Sequence, residues 1–276
     1  MIVLVTGAGR GLGRATAEAF LAAGADLVLH YHATEVGARE VARQAEAAGR
    51  QAVVVPGDLA RGDEARRVVG AAEAAFGRLD VLVNNAGGIH RSPFSTLGEA
   101  DWDAVVDVNL KSAFLVTQAA EPLLRRSGEA TVVNVASVGG LRPRADMPHY
   151  CAAKAGLVML TQCMALAPSV RVNALAPAFL AVPPGMPPDY AARMLQRSPF
   201  RRMGSYAEAA AAIVRLAATP YMTGQLVTFD GGLSLVRGNR RGSDIPSDPP
   251  RGGAPAGHPP RPRSGQASGG GGRRGI

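Results

Sequence analysis

At 276 residues, 47% of them hydrophobic, the chain can bury a full core, and its length suits one large α/β domain or two small ones. Its formal charge of +8 lies mostly in residues 238–276, where seven arginines stand against Asp244 and Asp248; that tail holds +5 and residues 1–237 only +3, so the body is not notably basic. No apolar run approaches the ~20 residues of a membrane span, and "IVLVTG" follows Met1 with no charged leader, which points to a soluble, cytoplasmic protein.

Taken in chain order, short β-branched runs alternate with alanine-rich segments of helical spacing. The strand "IVLVT" (2–6) precedes a helix over 12–23, and "DLVLHY" (26–31) one over 34–48. "AVVVP" (52–56) leads to 62–76, and "DVLVNN" (80–85) to a long helix over 101–126. "ATVVNVAS" (130–137) is followed by 149–166, and "VRVNAL" (170–175) by an irregular insert, then a helix over 205–218 and the strand "LVTFD" (226–230). Continuous rather than alternating apolar strands suit a parallel sheet buried on both faces. The expected fold is therefore α/β, one doubly wound parallel sheet of about seven strands spanning 1–237.

In the insert 177–200, prolines at 177, 183, 184, 187 and 188 are expected to break any regular element and to cap the active-site end. Residues 238–276, rich in Gly, Pro, Arg and Ser, lack the apolar surface to offset the entropy of ordering and are expected to be a disordered tail. Cys151 and Cys163 fall in one predicted helix about 18 Å apart and cannot pair, which suits a reducing compartment.

"VTGAGRGLGRA" (5–15) joins the first strand to the first helix. The G-x-G-x-x-G pattern fails at Leu12, but T-G-x-x-x-G-x-G fits Thr6, Gly7, Gly11 and Gly13. Glycines there let the backbone approach a pyrophosphate at a helix N-terminus, so Thr6, Gly7, Gly9, Arg10, Gly11, Leu12 and Gly13 are candidate dinucleotide contacts. An NAD site usually has an acid at the end of the second strand. Tyr31 and His32 stand there instead, and Arg10 can pair with a 2′-phosphate, so NADP(H) is expected over NAD(H), with NAD still possible.

In "HYCAAKAG" (149–156), Tyr150 and Lys154 share one helix face at i and i+4, and the small residues around them leave room for a cofactor. A cation beside the phenol is expected to lower its pKa from ~10 and fit it for acid–base work. Ser137, at the carboxyl end of the fifth strand, is placed to hold a substrate oxygen. His90 and His149 are read as solvated loop residues, Cys151 as packing, and no cluster has metal-ligand spacing.

With "TGAGRGLG", Asp58 in "GDL", "NNAG" (84–87), Asn109 in "VNL", Ser137, Tyr150-x-x-x-Lys154, "VRVNALAP" and "TGQLVTFDGG" in this order, residues 1 to about 236 resemble the short-chain dehydrogenase/reductase family. The resemblance implies a Rossmann-like domain, a nicotinamide cofactor, a carbonyl or alcohol substrate, and a homo-oligomer, commonly a tetramer, otherwise a dimer. It implies that Asp58 and Leu59 meet the adenine side and that Asn85, Ala86, Gly87 and Pro177 line the cofactor with Tyr31, Tyr150 and Lys154. Asn109 would complete a proton relay through water to Lys154, and Asn173 would be structural. One departure is Ala178 where the family usually has glycine, which would cost stability if its φ were positive.

The chain looks most like 3-oxoacyl-[acyl-carrier-protein] reductases, and Arg193, Arg197, Arg201 and Arg202 are candidates to receive an anionic carrier, or equally to form a solvated face or a subunit contact. A pteridine reductase, a sugar or polyol dehydrogenase, and an NADP-sensing regulator without activity are the alternatives. The last has no need of Tyr150 with Lys154. A nucleic-acid partner is not expected, since it would rest on the basic tail alone.

Overall fold

Seven parallel strands form one sheet in the order β3-β2-β1-β4-β5-β6-β7. The strands are β1 (Ile2–Val5), β2 (Asp26–Tyr31), β3 (Ala52–Pro56), β4 (Val81–Asn84), β5 (Thr131–Val135), β6 (Arg171–Pro177) and β7 (Leu226–Phe229). The computed structural model describes residues 1–167, 170–182, 189–196 and 198–236, without the side chains of 193 and 194. The expectations for the tail, for prolines 183, 184, 187 and 188, and for the side chains of Arg193 and Arg197 lie outside the described residues.

Successive side chains of a strand point to opposite faces, and the apolar sequence of β1 supplies both layers. Val3 and Val5 pack with Phe20 and Ile213 on one side, Ile2 and Leu4 with Leu82, Leu123 and Leu124 on the other. The first layer is covered by α1 (Gly11–Ala22), α2 (Val36–Ala47) and α8 (Tyr206–Ala217), and the second by α3 (Gly62–Phe76) and α5 (Ser112–Arg125). Ser205 and Glu208 cap α8 reciprocally, each bonding the other's backbone N–H. The chain reverses its winding between β1 and β4, and ligands of such sheets lie outside the carboxyl ends of the strands at this crevice.

Two elements differ from expectation. The helix expected over 101–126 is α4 (Glu99–Val106), a π-helical turn (Asp107–Lys111) and then α5. The extra residue of the π turn carries Asn109, whose carboxamide donates to Val105 O at 2.9 Å and Gly88 O at 2.8 Å. The insert after β6 is not wholly irregular, since α7 (Tyr190–Gln196) forms within it, before Pro199. Among the described residues, no helix is long and apolar enough to cross a membrane.

Candidate active site

The glycine loop between β1 and α1 is anchored from behind. Thr6 is buried, and its hydroxyl donates to Val83 O and accepts from the N–H groups of Asn85 and Ala86. Asn85 in turn donates from its carboxamide to Thr6 O at 2.9 Å and Gly7 O at 3.3 Å. These side chains shape the loop from behind. Leu59 is packed in the core.

His30, passed over in the sequence, is the loop's other support. Its Nδ1 accepts from Gly7 N–H at 3.1 Å, which leaves Nε2 as the donor to Gly57 O at 3.0 Å. Burial drives its pKa down from 6.5 to about 4, so the ring is neutral and its tautomer fixed.

The loop fits a pyrophosphate. Gly7 and Gly11 have φ of 68° and 55°, the left-handed region that glycine tolerates. A Cβ on Gly9 would stand 1.7 Å from Thr34 O, and one on Gly13 2.1 Å from Gly7 O, so both glycines permit close backbone packing rather than ligand approach. The side of the loop left open is the N-terminus of α1, where exposed Arg10 stands. At the end of β2 the acid expected to be missing stands one turn on: Glu35 is bonded to the Tyr31 hydroxyl and to Arg39.

At the carboxyl end of β5, Ser137 caps a short 3₁₀ turn (Val138–Gly140), its Oγ accepting from Gly139 N–H at 3.0 Å. The same hydroxyl is hydrogen-bonded to the phenol of Tyr150 on α6 (Pro148–Met164). Gly139 leaves room for this contact, since a Cβ there would meet Tyr150 Cε1 at 3.2 Å. Lys154 lies one turn along, buried, its Nζ 5.9 Å from the Tyr150 ring centroid and donating to Val135 O at 2.8 Å.

The electrostatics differ from expectation. Burial pushes the Tyr150 phenol above its usual 10, against smaller lowering effects from Ser137 and Arg144, and Lys154 is not among the charges acting on it. Burial also lowers Lys154 to about 8. The amine faces a carbonyl oxygen rather than the phenol oxygen, so desolvation prevails over the neighbouring cation.

Asn109 completes the group. Its Oδ1 is buried without a hydrogen-bond partner, and this atom and Lys154 Nζ flank the space above Gly87, 2.7 and 3.6 Å from where a Cβ would stand. Asp58 is near the end of β3, its Oδ1 accepting from Ala60 N–H, and Asn173 bridges Met222 O and Gln225 N–H at the base of β7. Ala178 bonds Phe229 O, and among the described non-glycine residues only Arg201 has a positive φ, so the alanine is unstrained.

Other expectations change. His149 is fully buried rather than solvated, edge-on to His90 at 6.3 Å and without a partner for either nitrogen. Arg202 is bonded to Glu208 and Met203 O beside the α8 cap, so its guanidinium is occupied locally.

The family model described as short chain dehydrogenase matches residues 1–187. A 3-oxoacyl-[acyl-carrier-protein] reductase of Synechocystis is 36% identical over 241 residues, covering 85% of this chain and 97% of the relative. A 3beta-hydroxysteroid dehydrogenase of Eggerthella lenta is 35% identical over 246 residues, 86% and 94% of the two chains. Among solved structures, a gluconate 5-dehydrogenase from Burkholderia cenocepacia, in complex with NADP and tartrate, superposes with a TM-score of 0.78 at 30% identity over 85% of this chain and 95% of the other.

Proposed function

The chain belongs to the short chain dehydrogenase family and is an NAD(P)-dependent oxidoreductase acting on carbonyl or alcohol groups; from this premise we propose that it is an NADP(H)-dependent reductase of 3-oxoacyl thioesters. The observation that carries the reading is the buried phenol of Tyr150, hydrogen-bonded to Ser137 and raised in pKa. A phenol kept protonated at neutral pH is a general acid, the group that carbonyl reduction needs.

When bound, the nicotinamide supplies the hydride. Ser137 holds the substrate oxygen, and Tyr150 donates its proton to that oxygen as negative charge develops there. Lys154, with a pKa near 8, is poised to return a proton, and the free Oδ1 of Asn109 beside it continues the path. The glycine loop and the first turn of α1 would hold the pyrophosphate, with the backbone of Asp58 to Leu59 and of Ala86 to Gly87 along the cofactor's edge and Pro177 at the end of β6. Arg10 is assigned to a 2′-phosphate. Glu35 disfavours NADP less than a free acid would, because Arg39 pairs with it.

Similarity to the Synechocystis reductase supports the 3-oxoacyl substrate. An apolar groove between the π turn with α5 and α6, lined by Leu110, Phe114, Met159 and Leu160, supports a homo-oligomer in solution. NADPH oxidation with acetoacetyl thioesters, dihydropterin and sugar ketones tests the substrate class. Tyr150→Phe should lower kcat at least about a hundredfold while NADPH binding, read by fluorescence, is retained. Turnover retained by that variant would end the proposal.

A further inference from the structure

Outside the Ser137–Tyr150–Lys154 group, three separate segments bring charged or polar side chains together. Arg91 comes from the chain after β4, Arg144 and Asp146 from the loop between Ser137 and Tyr150, and Tyr190 from the start of α7. Asp146 accepts from Arg91 Nη1, and from Arg144 Nε at 3.1 Å and Nη2 at 3.0 Å. Arg91 also reaches the Tyr190 hydroxyl at 3.4 Å, its guanidinium carbon 5.9 Å from that ring's centroid, and Tyr190 meets Phe179 edge-on at 6.3 Å.

Two guanidiniums thus converge on one carboxylate. Each has five N–H donors, and the bonds to Asp146 and Tyr190 use only part of them. All three charged side chains are about one-third exposed, open to a ligand yet held in place. Burial acts most strongly on Arg144 and opposes its charge, but Asp146 and Tyr190 together raise its pKa. The charge of Arg144 is felt at the Tyr150 phenol, and Arg144 lies on the loop that joins Ser137 to Tyr150, so the cluster lies near the reacting group.

We propose that Arg91 and Arg144, preset by Asp146 and Tyr190, form a specificity subsite that receives an oxyanion, carboxylate or phosphate, on the part of the substrate beyond its carbonyl. A planar guanidinium fork is suited to such groups, and an entering oxyanion would share the two arginines with Asp146. The assignment rests on Tyr150 as the acid that fixes where the carbonyl lies. It places the anion site at a pair that the sequence did not single out, rather than among Arg193, Arg197, Arg201 and Arg202.

Two substrate pairs read the site by kcat/KM with NADPH: acetoacetyl-CoA against the neutral acetoacetyl-N-acetylcysteamine, and a keto acid against its methyl ester. Arg144→Gln and Arg91→Gln should raise KM for the anionic member by about ten- to a hundredfold, with little change for the neutral one. Arg144→Lys should restore part of the loss, and Asp146→Asn should lower KM for the anion. A carrier phosphate as the source shows in the thioester pair, a carboxylate of the substrate in the acid–ester pair. Calorimetric titration of the NADPH complex with phosphopantetheine and with malonate reads the subsite independently of turnover, so failure of the 3-oxoacyl reading leaves this test intact. Equal loss for charged and neutral substrates, or binding of both anions unchanged in the two glutamine variants or absent from the unmutated protein, overturns the proposal.

Discussion

Acidification should weaken this fold through His30. The buried ring is neutral in the folded chain, with its pKa near 4 against 6.5 for an exposed histidine. Between those values the unfolded chain binds a proton that the folded one refuses, so stability falls as pH drops from 6.5 toward 4 and is fully present above that window. At about 1.4 kcal/mol per pH unit, the loss is about 2 kcal/mol by pH 5 and about 3 kcal/mol at pH 4. Urea denaturation at pH 7.5 and pH 5 measures it, with His30→Gln as the reference that does not titrate. Other groups titrate over the same range, so the quantity that matters is the difference between the two proteins' pH dependences. His30→Leu should in addition lose about 1–3 kcal/mol at pH 7.5, because Gly7 N–H loses its partner, whereas Gly57 O keeps a hydrogen bond to His32 Nδ1. A glutamine variant as acid-sensitive as the parent would refute the reasoning.

Three further outcomes are expected. Gly9→Ala places a methyl 1.7 Å from Thr34 O, which forces α2 away from the glycine loop; a loss of at least about 2 kcal/mol in thermal unfolding, with a higher KM for NADPH, is the expected result. Asn109→Leu removes both bonds that hold the π turn and the free Oδ1 above Gly87, and steady-state kinetics should show kcat falling about ten- to a hundredfold with KM for NADPH changed far less. Reduction should decline on an alkaline limb with an apparent pKa near 8, as Lys154 gives up its proton, while alcohol oxidation holds or rises over the same pH range.

The fold was legible because its signal is local: seven apolar β-branched runs, each followed by a helix or an irregular link, can only be covered on both faces. The Tyr150–Lys154 spacing and the glycine loop were legible for the same reason. The π turn was not, since one extra residue leaves the helical periodicity of 99–125 nearly unchanged, and what selects it is a bond from Asn109 to the distant Gly88. His30 was hidden as one polar residue in an apolar strand, although a buried histidine there calls for partners on both nitrogens. The pairing of Arg91 with Asp146 joins positions 55 residues apart. The run "RPRAD" between Ser137 and Tyr150 was the one local hint, a charged stretch tying two site residues together.

The balance at Tyr150 bears on the direction of reaction. Sequence spacing brings an ammonium within one helical turn and suggests an acidified phenol, yet the amine points its Nζ at Val135 O, and water is excluded from both groups. Exclusion of water penalises the phenolate and the ammonium alike, which moves the two pKa values past each other and apart, the phenol from 10 upward and the amine from 10.5 down to about 8. The pair is therefore left with its proton on the phenol across neutral pH, while the amine begins to lose its own just above that range. Such an arrangement favours donation to a carbonyl oxygen over abstraction from an alcohol. The positive charge of Arg144, acting in the opposite sense on the same phenol, is the one described arginine whose removal should push Tyr150 further toward the acid form.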